Sequence, residues 1–431
     1  MSTVAEAPDA ESLSVDEEPS RLFYGWVMVG LATLVMLAST PGQTFGVAFF
    51  NEHFRAVCGL STTGIAAVYL TATVLASLAV PYLGGLSDRL GLRRTILIAV
   101  AAMAVLCLLG SAVSNVAMLF AFYLLMRSVG PGWLTLLANN TVANWFDRRL
   151  GVASGAMQLG MAGSIAVVPS GIATLIDQFG WRGAYVALAA GIAAVLVPLV
   201  LLFYREVPHE VGEVRDGRRA SLARLRKRGV EADPHPSRGY TLSEARTTHA
   251  YWMLLLAAAT WAGIGTGLIF HINALFGELG LSTDEAKIAL TVLACGMAAM
   301  QVLGGLLADR LPGRLMLAAA VAAIAATCFS MAGLGKPGAF VGYALFGLGQ
   351  GTMTVIVGTI WPRYFGRTHL GKIRGTSLTA AIAGSSLGPL VMGVSADYLG
   401  GFTPSLWAMG LFAAAVCVAS LTAANPGPIE A

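Results

Sequence analysis

The chain has 431 residues, of which 56% are hydrophobic and only 12% charged, with a mean hydropathy of +0.72 and a net charge of +4. A soluble domain carries about 25% charged residues, so this composition excludes an ordinary water-soluble globule, and the small positive balance calls for no nucleic-acid partner. The five cysteines (Cys58, Cys107, Cys295, Cys328 and Cys417) show neither CxxC nor Cys/His spacing, which supports neither a disulfide framework nor a zinc site.

Residues 1–21 are acidic and lack an apolar core. They read as a disordered cytoplasmic tail rather than a signal or transit peptide. Six mainly apolar segments follow, near 24–50, 62–87, 95–113, 117–143, 151–176 and 184–203. A polar stretch, 204–250, contains RRASLARLRKRG; it reads as a solvated topogenic loop or as a surface helix on anionic lipid. Six more apolar segments lie near 252–277, 284–308, 315–333, 339–361, 371–396 and 404–423, before a short tail at 425–431. Segments of about 20 residues span a hydrocarbon core of about 30 Å as helices, not as barrel strands. The expected fold is therefore all-α, with twelve transmembrane helices in two pseudo-symmetric bundles, 22–203 and 251–424.

With both termini cytoplasmic, all but five of the 27 Lys and Arg residues face the cytoplasm or its boundary. Arg127 lies within a span, and Arg55, Arg182, Lys287 and Lys336 face out. The positive-inside rule selects this orientation, and the expected location is the cell membrane.

The halves repeat one another. GGLSDRLGLRR (84–94) returns as GGLLADRLPGR (304–314), pairing Gly84 with Gly305, Asp88 with Asp309 and Arg89 with Arg310. A duplicated bundle is a common plan for secondary transporters. Gly130-x-Gly132 pairs with Gly349-x-Gly351, and Trp145-Phe146 with Tyr364-Phe365. Arg127 then faces Phe346, so its charge belongs to one half alone.

Twelve helices, two halves and the motif after the second helix resemble the major facilitator superfamily. Finer features resemble its monocarboxylate-transporter and oxalate:formate-antiporter-like branch: Tyr24-Gly25-Trp26, the run Ser39–Gly46, Arg127-Ser-Val-Gly130-Pro-Gly132, Asn144–Arg149 and Gly180-Trp181-Arg182. The resemblance implies that Asp88 docks on the eleventh helix and Asp309 on the fifth, as a cytoplasmic gate present only while that side is closed. Arg89, Arg93, Arg94 and Arg310 are candidates for added ion pairs there.

Arg127 is the leading substrate-binding candidate. An arginine near the midplane costs roughly 2.5–3.5 kcal/mol on insertion scales, so it should face a cavity or a partner. The alternative is a structural arginine bonded to helix carbonyls. His271, near Asn273, is a candidate proton carrier or substrate contact, or a histidine hydrogen-bonded within the bundle. Gln43 and Thr44 adjoin an expected helix break at Pro41-Gly42, and Gln301 lies within the eighth span. Glycines 155, 160, 163, 384 and 388 read as close-packing positions. The chain departs from the branch in its charges: Thr44 stands at the position of a first-helix lysine, and Met297 and Gln301 stand at an Asp/Arg pair. Lys372 and Arg374 are placed at the cytoplasmic mouth of the eleventh helix.

The expected function is secondary active transport by alternating access, of a small organic anion such as a monocarboxylate, with proton coupling left open. Rival readings are an exporter of neutral or amphipathic compounds on the same fold, and a non-transporting receptor. No nucleophile–base pair, metal cluster or nucleotide loop is evident, so no enzyme, metal or cofactor is expected. The expected partners are the substrate, protons and the lipid bilayer, with the chain a monomer.

Overall fold

The computed structural model describes residues 23–60, 62–216 and 239–427. RRASLARLRKRG, the N-terminal tail 1–21 and residues 428–431 lie outside the described residues. Within them the chain is helical, without strands. The spans are α1 (Gly25–Ala48), α2 (Thr62–Leu90), α3 (Leu92–Ser111), α4 (Val116–Trp145), α5 (150–179) and α6 (181–203). The second half repeats them as α7 (His249–Phe270), α8 (Thr283–Ala308), α9 (Gly313–Gly333), α10 (Gly335–Phe365), α11 (Leu370–Tyr398) and α12 (Thr403–Ser420).

The bond pattern runs unbroken from Leu150 to Phe203, 54 residues. At 1.5 Å per residue that is about 81 Å, too long for one crossing. Gly180 divides it, with φ 68° and ψ 166°, a conformation that glycine adopts without a Cβ penalty. The break falls beside Trp181, as the expected loop between the fifth and sixth spans requires.

Prolines interrupt the helices where they remove a backbone donor. In α1, Thr40–Gly42 form a tight turn with Pro41 inside it, and Gln43 is extended (φ −73°, ψ 154°) before the helix resumes at Thr44. In α4, Ser128–Leu134 widen into a π-helical stretch around Pro131. Pro81 in α2 and Pro362 in α10 are accommodated without a break.

Two crossings make the most extensive contact between the halves: α2 on α11, and α5 on α8. Glycine permits both. A Cβ at Gly84 would overlap the Gly371 carbonyl, and one at Gly151 would overlap that of Gly305. The same holds for Gly155 against Gln301, Gly384 against Ala259 and Gly388 against Gly263. Gly160 meets Thr33, whereas Gly163 meets nothing among the described residues.

The described parts of the linker pack on the face that carries the basic loops. Glu206 accepts from the Leu92 N–H (2.9 Å), and Asp216 accepts from the Arg149 N–H (2.7 Å). Tyr240 donates its N–H to the Phe365 carbonyl (2.9 Å).

Candidate functional site

The basic face is held shut by bonds between the halves. Asp88, at the end of α2, accepts from the N–H groups of Gly371 (2.9 Å) and Lys372 (3.0 Å) at the start of α11. Asp309, at the end of α8, accepts from Gly151 (2.6 Å) and Val152 (3.1 Å) at the start of α5. Each carboxylate satisfies helix N–H groups that lack an intrahelical partner and complements the positive helix end.

The cations that strengthen this layer come from α10 and the loop after it. Arg363 pairs with Asp309 (2.7 Å) and donates to the Ala308 carbonyl. Arg367 pairs with Asp147 (3.1 Å) and donates to the carbonyls of Ala143 (2.6 Å) and Phe146 (3.0 Å) in the other half. Of the four expected arginines, Arg93 donates to the Leu201 carbonyl (2.6 Å) within its own half. Arg89, Arg94 and Arg310 are exposed and form no ion pair among the described residues.

Above this layer lies a cavity of about 220 Å³ between the halves, lined from α4, α5, α7, α10 and α11. Its polar lining includes Thr135, Asn139, Gln158 and Arg374, with Trp261 and Trp361 among the apolar walls. Arg374 is its one charged residue among the described residues. The sequence placed Arg374 at the mouth of α11; in the structure it is only 6% exposed, one turn inside the closed seam.

Arg374 is oriented by a proline. Pro362 has no N–H to give the carbonyl four residues earlier, that of Gly358. The Arg374 Nη2 donates to that carbonyl and, more weakly, to the Val357 carbonyl (3.4 Å). Its Nη1 donates to Asn140 Oδ1 of the other half (2.9 Å), and its Nε has no partner among the described residues. The same device recurs at Pro81: the Ser77 carbonyl that it frees accepts from the Thr379 hydroxyl of the other half (2.7 Å).

The six expected substrate-binding residues fall in three places, none of them lining this cavity. Arg127, Gln43 and Thr44 cluster at the break in α1. Arg127 Nη1 donates to the Gly42 carbonyl (3.0 Å), and its guanidinium lies 5.3 Å from the Tyr69 ring centre. The Tyr69 hydroxyl meets Thr44 Oγ1 (3.0 Å), and Gln43 Nε2 donates to Ser39 Oγ (3.0 Å). His271 ends α7, with Nε2 donating to the Pro389 carbonyl (3.0 Å) and its ring 5.2 Å from that of Phe402. Asn273 is exposed in the short helix Ile272–Glu278. Gln301 is buried (3% exposed) at the α5–α8 crossing, with Oε1 unpartnered.

Sequence reasoning missed Arg363, Arg367 and the inward position of Arg374. The repeat carried a signal for the last. Aligning Leu150-Gly151 with Leu370-Gly371 sets Arg374 against Ser154, a second charge without a counterpart.

The sequence matches the Major Facilitator Superfamily over residues 22–337 and again over 265–430. The chain belongs to the major facilitator superfamily. Human monocarboxylate transporter 11 is 26% identical over 410 residues, covering 90% of this chain and 80% of that protein. The multidrug efflux pump LfrA of Mycolicibacterium smegmatis is 29% identical over 199 residues, 45% of this chain and 37% of the pump. Among solved structures, the superfamily transporter FucP in its outward conformation superimposes with a TM-score of 0.68 at 16% identity, covering 93% of this chain and 99% of that one. The human organic anion transporter MFSD10 gives 0.62 at 18%, covering 92% and 97%. These structures establish the shared fold. This superfamily member is a multi-pass membrane transporter, with its relatives in the monocarboxylate-transporter-like branch.

Proposed function

We propose that this superfamily member is a secondary active transporter that carries a small organic anion, such as a monocarboxylate, across the cell membrane by alternating access. The observation that carries the substrate class is the inter-half cavity whose one charge among the described residues is the Arg374 guanidinium. A buried arginine without a carboxylate partner favours an anionic ligand over a cationic one. At about 220 Å³ the cavity is smaller than the roughly 300–1,000 Å³ of drug-sized sites, which suits a ligand of few heavy atoms. The similarity to a monocarboxylate transporter points the same way.

In this reading the basic face is cytoplasmic, both termini lie on that side, and the chain works as a monomer. Asp88 and Asp309, with Arg363 and Arg367, form the gate that is closed while the site faces outward. The cluster of Arg127, Gln43 and Thr44 lies on the outer approach to the cavity, where Arg127 attracts the anion. His271, bonded to a single carbonyl, is the candidate proton carrier.

A second reading, export of a neutral or amphipathic compound, is favoured by the apolar walls Trp261, Met353 and Trp361 and by the similarity to an efflux pump. Uptake into proteoliposomes separates the two. Saturable uptake of acetate, lactate, pyruvate or butyrate, unaffected by the matched amides, supports the anion reading. Transport of the amides or of amphipathic dyes in place of the carboxylates overturns it.

A further inference from the structure

Arg374 joins two parts of the molecule that alternating access must coordinate. It lines the cavity, and it also makes a cross-half bond of the closed basic side, to Asn140 Oδ1 at 2.9 Å. A guanidinium has five N–H donors in a fixed planar fork, so a ligand that takes up one edge moves the others.

Three lining residues of this cavity carry buried polar atoms without a partner: Arg374 Nε, Trp261 Nε1 and Thr135 Oγ1. They come from α11, α7 and α4, so both halves contribute. Buried donors left unpaired are costly, and native structures rarely keep them without a reason. Two of the three can only donate, and a carboxylate can only accept. Its two oxygens would satisfy Nε and a second donor of the set together, with the bond to the guanidinium charge-assisted.

We propose that Arg374 couples substrate to gate: the carboxylate of the transported anion binds at its free Nε, with Trp261 Nε1 and Thr135 Oγ1 as accompanying donors. The guanidinium is thereby drawn toward the cavity and its bond to Asn140 is released. An occupied site thus loosens the seam between α4 and α11 before the outer layer at Asp88 and Asp309 yields. A neutral analogue of the same shape binds without this effect, because it does not compete for the charged fork. The inference rests on the anion reading above.

The test uses the full-length protein in proteoliposomes with a reporter cysteine at Ser154, which is buried between the halves against Gly358. Maleimide labelling at that site is read with acetate, lactate, pyruvate or butyrate, or their amides, alongside ligand-induced thermal shift. In the parent, carboxylates raise the labelling rate and amides do not. Asn140→Ala gives fast labelling without ligand and little further response, while still being stabilised by the carboxylates. Trp261→Phe and Arg374→Lys weaken carboxylate binding about tenfold or more, as expected for loss of a bond to a charged group. Should Arg374→Lys fold poorly, Trp261→Phe and Asn140→Ala carry the test. If carboxylates bind and are transported but Asn140→Ala labels and responds as the parent does, the coupling is wrong and the anion reading stands. If no carboxylate binds the parent, both fail.

Discussion

Asp88 and Asp309 make the same pair of bonds in opposite directions: each carboxylate accepts two N–H groups from the first turn of a helix in the other half. The repeat is therefore expressed as two reciprocal contacts across one seam. They are unequal, because Arg363 reinforces Asp309 whereas the pseudo-equivalent position beside Asp88 is Asn144.

Removing either charge should open the basic side. Bonds to a charged group are worth roughly 1.5–3 kcal/mol, so Asp88→Asn and Asp309→Asn should each raise labelling of a basic-face cysteine by about tenfold. Asp309→Asn should have the larger effect, since it also leaves Arg363 unpaired. Equal labelling of parent and both variants would count against the latch.

Gly84→Ala and Gly151→Ala should act as wedges. The added methyl meets a backbone carbonyl that cannot rotate away. Overpacking of this kind costs about 1–3 kcal/mol and falls only on the closed seam. Both variants should remain folded, label faster from the basic face and transport slowly. Unchanged labelling would mean that the helices separate at these glycines without affecting the gate.

If Arg127 attracts the anion as proposed, Arg127→Ala should lower uptake at subsaturating anion about tenfold while preserving the folded protein, with loss of the bond to the Gly42 carbonyl as a second effect. Arg127→Lys should recover part of the rate through its charge. Parent-like uptake in Arg127→Ala would leave the residue as scaffold alone.

If His271 carries the coupled proton, uptake in the parent should depend on external pH. His271→Gln should flatten that dependence, because an amide can still donate to the Pro389 carbonyl but carries no exchangeable proton charge. An unchanged pH profile in the variant would place the proton elsewhere.

The twelve spans were legible because long apolar runs and basic loops obey the bilayer directly. The partners of Asp88 and Asp309 followed from the resemblance, with the repeat locating both aspartates. What composition and spacing hid was depth at the seam. Arg374 lies four residues past Leu370 and so reads as an exposed helix end, but α2 covers that first turn once the halves close. Pro362 held the missing clue, since it leaves Gly358 needing a donor. Arg127 shows the converse: its depth was legible, but its direction depended on how α1 breaks at Pro41.

Counterflow in proteoliposomes tests the central claim most directly. Vesicles preloaded with unlabelled pyruvate should accumulate labelled pyruvate transiently against its gradient, with no overshoot for the matched amide and none in Arg374→Gln. Absence of overshoot with every carboxylate tested, or equal overshoot with the neutral amide, would contradict an alternating-access carrier whose cavity selects an anion through Arg374.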